Sequence, residues 1–253
     1  MQPGGPVLGA RLVLGTHIEP KEVIVRCSLT LLLVPICLGC GGEDGDAQAE
    51  AGAASAADTV PPLLDLRFMS ATAPPRFRAR FETSEGAFVV EVHRGWSPRG
   101  VDRFYNLVRA GYYDSVYVHR VIRGGIAQFG FHPDPRINNL WLRRYIGDDP
   151  IVEPNTRGRV TFAHAGLNTR STQVFINLVD NPQFDGDRFV PFGEVVEGME
   201  AVDALYDGYG ELAPEGEGPD PRQAAFRGHA YLQESFPLLS QILTATIKDV
   251  PGP

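Results

Sequence analysis

The sequence predicts a mainly β fold, an antiparallel barrel that is closed and capped by helices. Several segments beyond residue 75 alternate between apolar and polar residues, as half-buried strands do. Two other segments, one early and one late, have the spacing of an amphipathic helix. The chain has 253 residues, 43% of them hydrophobic, so it is long enough to bury a core. We expect one globular domain with appendages.

The first elements of this domain are a hairpin and a helix. In residues 76–95, RFRARFETSEGAFVVEVHRG, apolar residues alternate on both sides of Ser84-Glu85-Gly86, which predicts two strands joined by a turn. Residues 97–113 then change to helical spacing. Ser97 can cap that helix and Gly111 is suited to its end.

Further strands and a second helix follow. Residues 117–122 are rich in β-branched side chains, and residues 159–165, 172–179 and 189–196 have similar patterns after a long polar loop. Residues 198–206, GMEAVDALY, predict the second helix. Near the C-terminus, an apolar set predicts a helix that packs against the barrel, and a helix that docks a partner is the alternative. This set is Leu238, Leu239, Ile242, Leu243 and Ile247.

The N-terminal part of the chain has a different composition. Lys21 and Arg26 precede an apolar run, residues 27–40, that is too short to span a bilayer but has the layout of a secretory signal. Within it LGCGG resembles a bacterial lipobox, in which Cys40 becomes the lipidated first residue of the mature protein. An ordinary signal peptide or a buried apolar segment is the alternative. Residues 41–75 are rich in Gly, Ala and acidic side chains, which predicts a disordered linker.

Charge, cysteines and histidines exclude several classes of function. The net charge of -8 argues against nucleic acid as a partner. All 3 cysteines lie within the signal segment, so the rest of the chain can form no disulfide. His119, His132 and His164 have no acidic or cysteine partner at a recognised spacing, so we expect neither a metal nor another cofactor.

Three blocks of the sequence carry a family resemblance. They are VHRVIRGGIAQFG, VTFAHAGLNTRSTQVFIN and FDGDRFVPFGEVVEGMEAVD. In this order they resemble the cyclophilin family of peptidyl-prolyl cis-trans isomerases, and the tail looks like the extension of a bacterial, exported, lipoprotein-like subgroup. The resemblance implies a closed eight-stranded antiparallel β-barrel capped by two α-helices, with a C-terminal helical extension. The implied substrates are proline-containing polypeptides.

The expected organisation of the chain combines these observations. Its parts are a signal segment at residues 1–40, the linker at 41–75, a cyclophilin-like catalytic domain at 76–210 and an extension at 211–253. The protein is then expected to be exported and held at a membrane by its lipid, facing the periplasm, and to be a monomer.

The resemblance also implies roles for individual residues. Arg120 would be the catalytic hydrogen-bond donor. The substrate-binding residues would be Gln128 and Gln173 for the peptide backbone, Ile126, Phe175 and Phe184 for the proline pocket, and Ala163 and His164 for contacts mainly through their own backbone.

Arginine suits that role on chemical grounds. A peptide C–N bond resists rotation with a barrier of about 18–20 kcal/mol because of amide resonance. When an X-Pro bond is twisted, the proline nitrogen regains a lone pair and can accept a hydrogen bond. Arg120 never loses its proton, and it lies on the same predicted strand face as Val118 and Ile122, among apolar neighbours.

Some residues depart from the family pattern. Gly125 and Gln183 stand where the family commonly has aromatic side chains, His164 stands where it has asparagine, and Arg188 or Phe189 stands near the position of a histidine. A pocket with fewer aromatic walls would hold proline less tightly. A cyclophilin-shaped peptide-binding or chaperone module with weak or lost catalysis is therefore the alternative.

Overall fold

The structure is a computed structural model, and it describes Leu63 and residues 66–248. These residues belong to one of the two compact units into which the chain divides, Val60–Pro253. The predicted signal segment, with Cys40, and most of the predicted linker lie outside the described residues. Among the helices of the described residues, none is both long and apolar enough to cross a bilayer.

Eight antiparallel strands form one sheet, which confirms the mainly β prediction. The strands are β1 Arg76–Thr83, β2 Gly86–His93, β3 Val118–Val121, β4 Ile126–Phe129, β5 Arg159–Phe162, β6 Val174–Asn177, β7 Pro191–Glu197 and β8 Ile242–Lys248. The helices are α1 Pro98–Arg109, α2 Pro135–Trp141, α3 Gln183–Gly186, α4 Met199–Asp203, α5 Pro221–Arg227 and α6 His229–Ser235. A 3-10 helix, Leu66–Met69, precedes β1.

The sheet is curled, but it is not the closed barrel that the sequence predicted. Its strand order is β3-β4-β6-β5-β7-β2-β1-β8, so β3 and β8 are its two edges. Among the described residues the edges are joined only where β3 and β8 begin, by an isolated bridge between Tyr117 and Gln241 and by backbone bonds such as Val118 N to Ser240 O of 2.9 Å and Ile242 N to Val116 O of 2.8 Å. These bonds do not extend into a ladder between the two edges.

The predicted hairpin and both predicted helices are present. In β1 and β2, Phe81 pairs with Phe88 across the ladder, and their rings stack at 4.9 Å in the core. The first helix is α1, and the second is the short α4, whose Val202 is buried. Short helices between these elements were not predicted, because α2 and α3 have too few residues for a helical period to stand out.

The predicted C-terminal helix is wrong, since residues 242–248 form β8 and pair with β1. Ile242 and Ala245 are buried and Leu243 is exposed, because a register shift opposite Glu82 and Thr83 interrupts strict alternation. Apolar residues spaced in this way fit a helical period by chance. Over residues 211–248, the described part of the predicted extension, α5 and α6 are the helices, and the last of these residues complete the sheet.

A second apolar cluster joins α5 and α6 to the chain just after β4. It consists of Phe131, Ala224, Ala225, Tyr231, Leu232 and Leu239, and we call it the extension cluster. Most of the other buried apolar residues form the main core between the sheet, α1 and α4. The extension therefore packs beside the edge of the sheet that carries β3 and β4.

The described end of the predicted linker packs against the domain. Leu63 is buried, and its carbonyl oxygen accepts a hydrogen bond of 3.1 Å from Trp141 Nε1. The backbone N–H of Ala73 donates to Asp102 of α1 at 2.9 Å. The prediction of a linker that is disordered as far as residue 75 is thus wrong for its C-terminal end. There, apolar side chains and backbone N–H groups contact the domain.

Candidate functional site

Three neighbouring strands bring the central site residues into line. Arg120 of β3 pairs with Gln128 of β4, and Gln128 pairs in turn with Phe175 of β6. Ile126, two residues before Gln128, is buried and lies outside the main core. Side chains alternate along a strand, so Ile126, Gln128 and Phe175 point away from the core. The residues next to them in β4 and β6 point into it.

A β-bulge sets the direction of Arg120. The pairing of β3 with β4 shifts register between Val118 and Arg120, and Val118 lies in the main core. The sequence had predicted both on one face. His119, which lies between them, packs against Phe131 of the extension cluster, with ring centroids 4.4 Å apart. The bulge adds one residue to β3, so alternation no longer fixes the faces on either side of it.

Hydrogen bonds link the polar side chains of the site. Arg120 Nη1 donates to Gln128 Oε1 at 3.0 Å, and Gln128 Nε2 donates to Gln173 Oε1 at 2.8 Å. Arg120 also donates from Nη2 to Glu211 Oε2 at 2.6 Å. The side chain of Arg120 is only 8% exposed, and its Nε has no hydrogen-bond partner among the described residues. This guanidinium is therefore a fixed cation with donor capacity to spare.

Phenylalanine rings form an apolar wall beside the polar chain. The ring centroid of Phe175 is 5.6 Å from that of Phe184 and 5.5 Å from that of Phe189. Phe184 and Phe189 are 5.1 Å apart and half-buried. His164 stacks on Phe189 at 4.1 Å. Phe189 therefore belongs to the pocket, whereas its neighbour Arg188 is exposed.

The segment that carries these rings is held by a buried asparagine. Asn155 Nδ2 donates to Asp185 Oδ1 at 2.8 Å and to the carbonyl oxygen of Phe189 at 2.7 Å. Arg188 has a φ of +64°, a left-handed conformation that turns the chain back after α3. The two phenylalanines at the ends of this turn thus face the same side.

The remaining predicted contacts lie next to the wall. Ala163 follows β5, and its N–H donates to the carbonyl oxygen of Gln173 at 2.9 Å, which places it beside the polar chain. Burial lowers the pKa of His164 below its ordinary value, so its imidazole is neutral at pH 7. For His119, burial and then the charge of Arg120 lower the pKa to about 3. Both histidines therefore leave the positive charge of the site to Arg120.

Gly125 and Gln183 add no apolar surface to the pocket. Gly125 lies in the turn between β3 and β4, where its N–H donates to Ile122 O at 2.9 Å. Gln183 is exposed, and its Nε2 donates to Asn181 Oδ1 at 3.1 Å. The described residues also hold no group of three His, Cys, Asp or Glu side chains that could bind a metal.

Sequence reasoning missed two residues of this site. Phe189 lies in a segment whose alignment with the family was ambiguous, although its aromatic side chain next to a turn was a usable signal. Glu211 is 91 residues from Arg120 along the chain, and no local pattern distinguishes it from other acidic residues of its loop. Contacts of this kind become visible only when the chain is folded.

Known proteins of one family match this chain. The family model described as cyclophilin type peptidyl-prolyl cis-trans isomerase/CLD matches residues 78–221. The Arabidopsis thaliana peptidyl-prolyl cis-trans isomerase CYP18-2 is 37% identical over 130 residues, which cover 49% of this chain and 77% of the relative. A Helicobacter pylori peptidyl-prolyl cis-trans isomerase is 32% identical over 134 residues, 51% of this chain and 80% of the relative.

Solved structures agree on the fold. A Cryptosporidium parvum cyclophilin type peptidyl-prolyl cis-trans isomerase superposes with a TM-score of 0.52 at 23% identity, covering 70% of this chain and 99% of that one. The family model spans β1 to the start of α5, including every strand that contributes to the site. The chain therefore belongs to the cyclophilin family and is a peptidyl-prolyl cis-trans isomerase.

Proposed function

We propose that Arg120 accelerates the rotation of X-Pro bonds by donating a hydrogen bond to the proline nitrogen of the twisted peptide. The observation that carries this proposal is the alignment of Arg120, Gln128 and Phe175 across three adjacent strands. It places a permanent donor, a neutral amide and an apolar ring on one surface. The proline ring packs against the phenylalanine wall, and Gln128 and Gln173 hold the peptide backbone.

The chemistry requires no bond to be made or broken. The proline nitrogen accepts a hydrogen bond only when rotation has disrupted amide resonance, so Arg120 stabilises the transition state more than either planar form. The second hydrogens of the Arg120 Nη groups remain available for this purpose, because a guanidinium carries five donors and only one on each Nη is used within the protein. The phenylalanine wall, by contrast, binds proline in all states of the reaction.

Replacement of Arg120 tests this mechanism. A hydrogen bond from a charged donor is worth about 1.5–3 kcal/mol, so we expect Arg120→Ala to lower kcat/KM by about tenfold or more. The loss should fall on kcat rather than on peptide affinity. Arg120→Lys should rescue poorly, since an ammonium lacks the planar fork. Exchange NMR on a bound proline peptide measures the rate, and the melting temperature checks the fold.

Arg143→Ala is the matched control, because Arg143 is exposed in the loop after α2 and should tolerate the change. Wild-type rates in Arg120→Ala would make this arginine structural and would contradict the proposal. A wild-type protein that binds proline peptides without isomerising them would instead favour a peptide-binding or chaperone module. The low apolar content at Gly125 and Gln183 is the feature that favours this second candidate.

We also propose that the protein is an exported lipoprotein that acts on exported proline-containing proteins. The support is the apolar run before Cys40 and the LGCGG sequence around it. Cells fed a clickable fatty acid should label the wild type, and Cys40→Ser should abolish the label. Cys37→Ser is the matched control. Equal label in Cys40→Ser, or unlabelled wild type, would contradict lipidation at Cys40.

A further inference from the structure

Glu211 lies in the loop between α4 and α5 and contacts the guanidinium of Arg120. Its Oε2 accepts the bond of 2.6 Å from Arg120 Nη2, while Gln128 binds Nη1 on the other side. We infer that Glu211 is a positioning residue, which fixes the plane of the guanidinium in readiness for the proline nitrogen. This inference rests on the proposed role of Arg120.

The carboxylate of Glu211 is itself held in one orientation. Its second oxygen, Oε1, accepts a hydrogen bond of 2.8 Å from the backbone N–H of Leu212. Both oxygens therefore have partners, and one of those partners is backbone. A carboxylate bound in this way cannot swing away from Arg120 without losing two hydrogen bonds.

The loop around Glu211 is built to present it. Gly218 N donates to the carbonyl oxygen of Glu211 at 2.7 Å, and Gly216 N donates to that of Leu212 at 2.9 Å. A Cβ at Gly216 or Gly218 would come within 2.5 or 2.6 Å of the same Glu211 oxygen. Any larger residue at either glycine would thus push Glu211 out of place. The close fit of this loop is explained if the position of Glu211 matters.

The segment that leads into Glu211 is anchored to the domain at two points. Before Glu211, Asp207 forms an ion pair with Arg123, in the turn that connects β3 and β4. Tyr209 packs edge-on against Phe236 at 5.0 Å, next to the extension cluster. One anchor lies on the strand pair that carries Arg120, and the other lies on the extension. Together they hold the loop at a fixed position relative to the guanidinium.

Two bonds on different Nη groups have a specific consequence for catalysis. A free arginine side chain has many rotamers, and ordering it during the reaction would raise the barrier. Gln128 and Glu211 together fix both the position and the plane of the guanidinium beforehand. They occupy one hydrogen on each Nη and leave the other hydrogen of each Nη for substrate. The contact is therefore compatible with catalysis and does not block it.

Three substitutions at Glu211 separate position from charge. Glu211→Gln keeps an oxygen that can accept from Arg120 at the same reach without the charge, although its NH2 cannot accept from the N–H of Leu212, and we expect kcat within about twofold of wild type. Glu211→Asp keeps the charge but is one methylene too short to reach both partners, and Glu211→Ala removes the side chain. We expect both to lower kcat by at least about fivefold with little change in KM. Glu215→Gln, an exposed change in the same loop, is the control and should match wild type.

NMR of the arginine side chains provides a readout that does not depend on activity. In the wild type, slow rotation of the fixed guanidinium should give resolved Nη signals for Arg120, which Arg120→Ala assigns by their loss. In Glu211→Ala and Glu211→Asp these signals should merge, and in Glu211→Gln they should stay resolved. If Glu211→Ala does not fold, Glu211→Asp and Glu211→Gln decide the question.

Several results would overturn the inference. Wild-type kcat in Glu211→Asp and Glu211→Ala would show that position is unimportant, and a faster rate would make Glu211 an inhibitory cap. A low rate in Glu211→Gln with a normal one in Glu211→Asp would show that charge alone matters. If Arg120→Ala is impaired but all Glu211 variants are normal, only the positioning role fails. If Arg120→Ala has wild-type activity, both the positioning role of Glu211 and the proposed role of Arg120 fail.

Discussion

Individual residues of the site differ in how far the sequence reveals them. Arg120, Gln128 and Phe175 could be named from the family resemblance, and the register of their strands brings them together. The alternation argument for Arg120 was wrong, since a bulge cannot be read from the side-chain pattern of β3. Residue types thus suggested the chemistry that we propose for the site, and backbone irregularity decided the directions of its side chains.

Phe189 offers a test of the apolar wall at the residue scale. Its ring lies against Phe184 and His164, and a proline ring should pack on this wall in the ground and transition states alike. Loss of an aromatic contact costs about 0.5–1.5 kcal/mol, so Phe189→Ala should raise KM about two- to tenfold with little change in kcat. Steady-state isomerisation kinetics would measure both constants.

The control for this variant is Phe226→Ala, because Phe226 of α5 is 57% exposed. It should leave KM unchanged. A fall in kcat for Phe189→Ala at constant KM would mean that the ring acts on the transition state, and the wall would then need another explanation.

At the scale of elements, the start of α1 shows how a local prediction can be right for a different reason. Ser97 is the N-cap residue of α1, as expected, but its side chain makes no cap bond to the helix. It donates to Asp149 Oδ2 at 2.7 Å, and that carboxylate accepts the N–H of Gly100 at 3.1 Å. Arg170, which is fully buried, binds the same oxygen at 3.0 Å. A distant aspartate therefore caps the helix and pairs with a buried cation.

Removal of Asp149 should be strongly destabilising, because it takes the nearer carboxylate from the buried Arg170 and leaves that charge only the more distant Asp148, at 3.5 Å. Loss of one member of a buried ion pair costs about 3–5 kcal/mol, which we expect as the fall in unfolding free energy of Asp149→Ala. Urea titration would measure it, with the exposed Asp187→Ala as control. A change below that of an ordinary surface substitution, about 0.5 kcal/mol, would show that the cluster contributes little.

Strand β8 explains which elements the sequence could not identify. The β1–β2 hairpin was predictable because its partners are neighbours in sequence and its turn is short. The partner of β8 is β1, about 160 residues earlier, and only that pairing decides between strand and helix for apolar residues with ambiguous spacing. Lysine substitutions test the assignment: Ala245→Lys should abolish or severely weaken folding, whereas Leu243→Lys should be nearly neutral.

Circular dichroism melts of these two variants would compare their stabilities. Ala245 is 4% exposed and faces the core, whereas Leu243 is 48% exposed. Equal melting temperatures for the two variants would contradict the assignment of residues 242–248 to a strand whose Ala245 faces the core and whose Leu243 faces solvent.

At the scale of the whole molecule, the resolved shifts of histidine pKa all have one direction. Burial lowers the pKa of His93, His119, His132, His164 and His229. In the unfolded chain these groups take up protons near pH 6.5, while in the folded protein they resist protonation to lower pH. The unfolded state therefore binds more protons below pH 6.5, and stability rises with pH through that range.

Stability should accordingly be complete above about pH 7 and should fall as the solution is acidified. His119 alone, with its pKa of about 3, contributes a slope of about 1.4 kcal/mol per pH unit between its unfolded and folded pKa values. The pKa of Asp102 is lowered by its hydrogen bond from Arg94, so protonation of this carboxylate adds to the loss at still lower pH. As the pH falls, stability is therefore lost first through protonation of histidines and then through protonation of carboxylates.

Urea titrations at pH 7.5, 6.5, 5.5 and 4.5 would test this order. We expect wild-type unfolding free energy to decrease steadily below pH 6.5, and His119→Gln to reduce the slope by about 1.4 kcal/mol per pH unit, because glutamine does not titrate. If His119→Gln has the wild-type slope, then His119 is protonated in the folded protein at these pH values, and a second cation lies beside Arg120 during catalysis in acid.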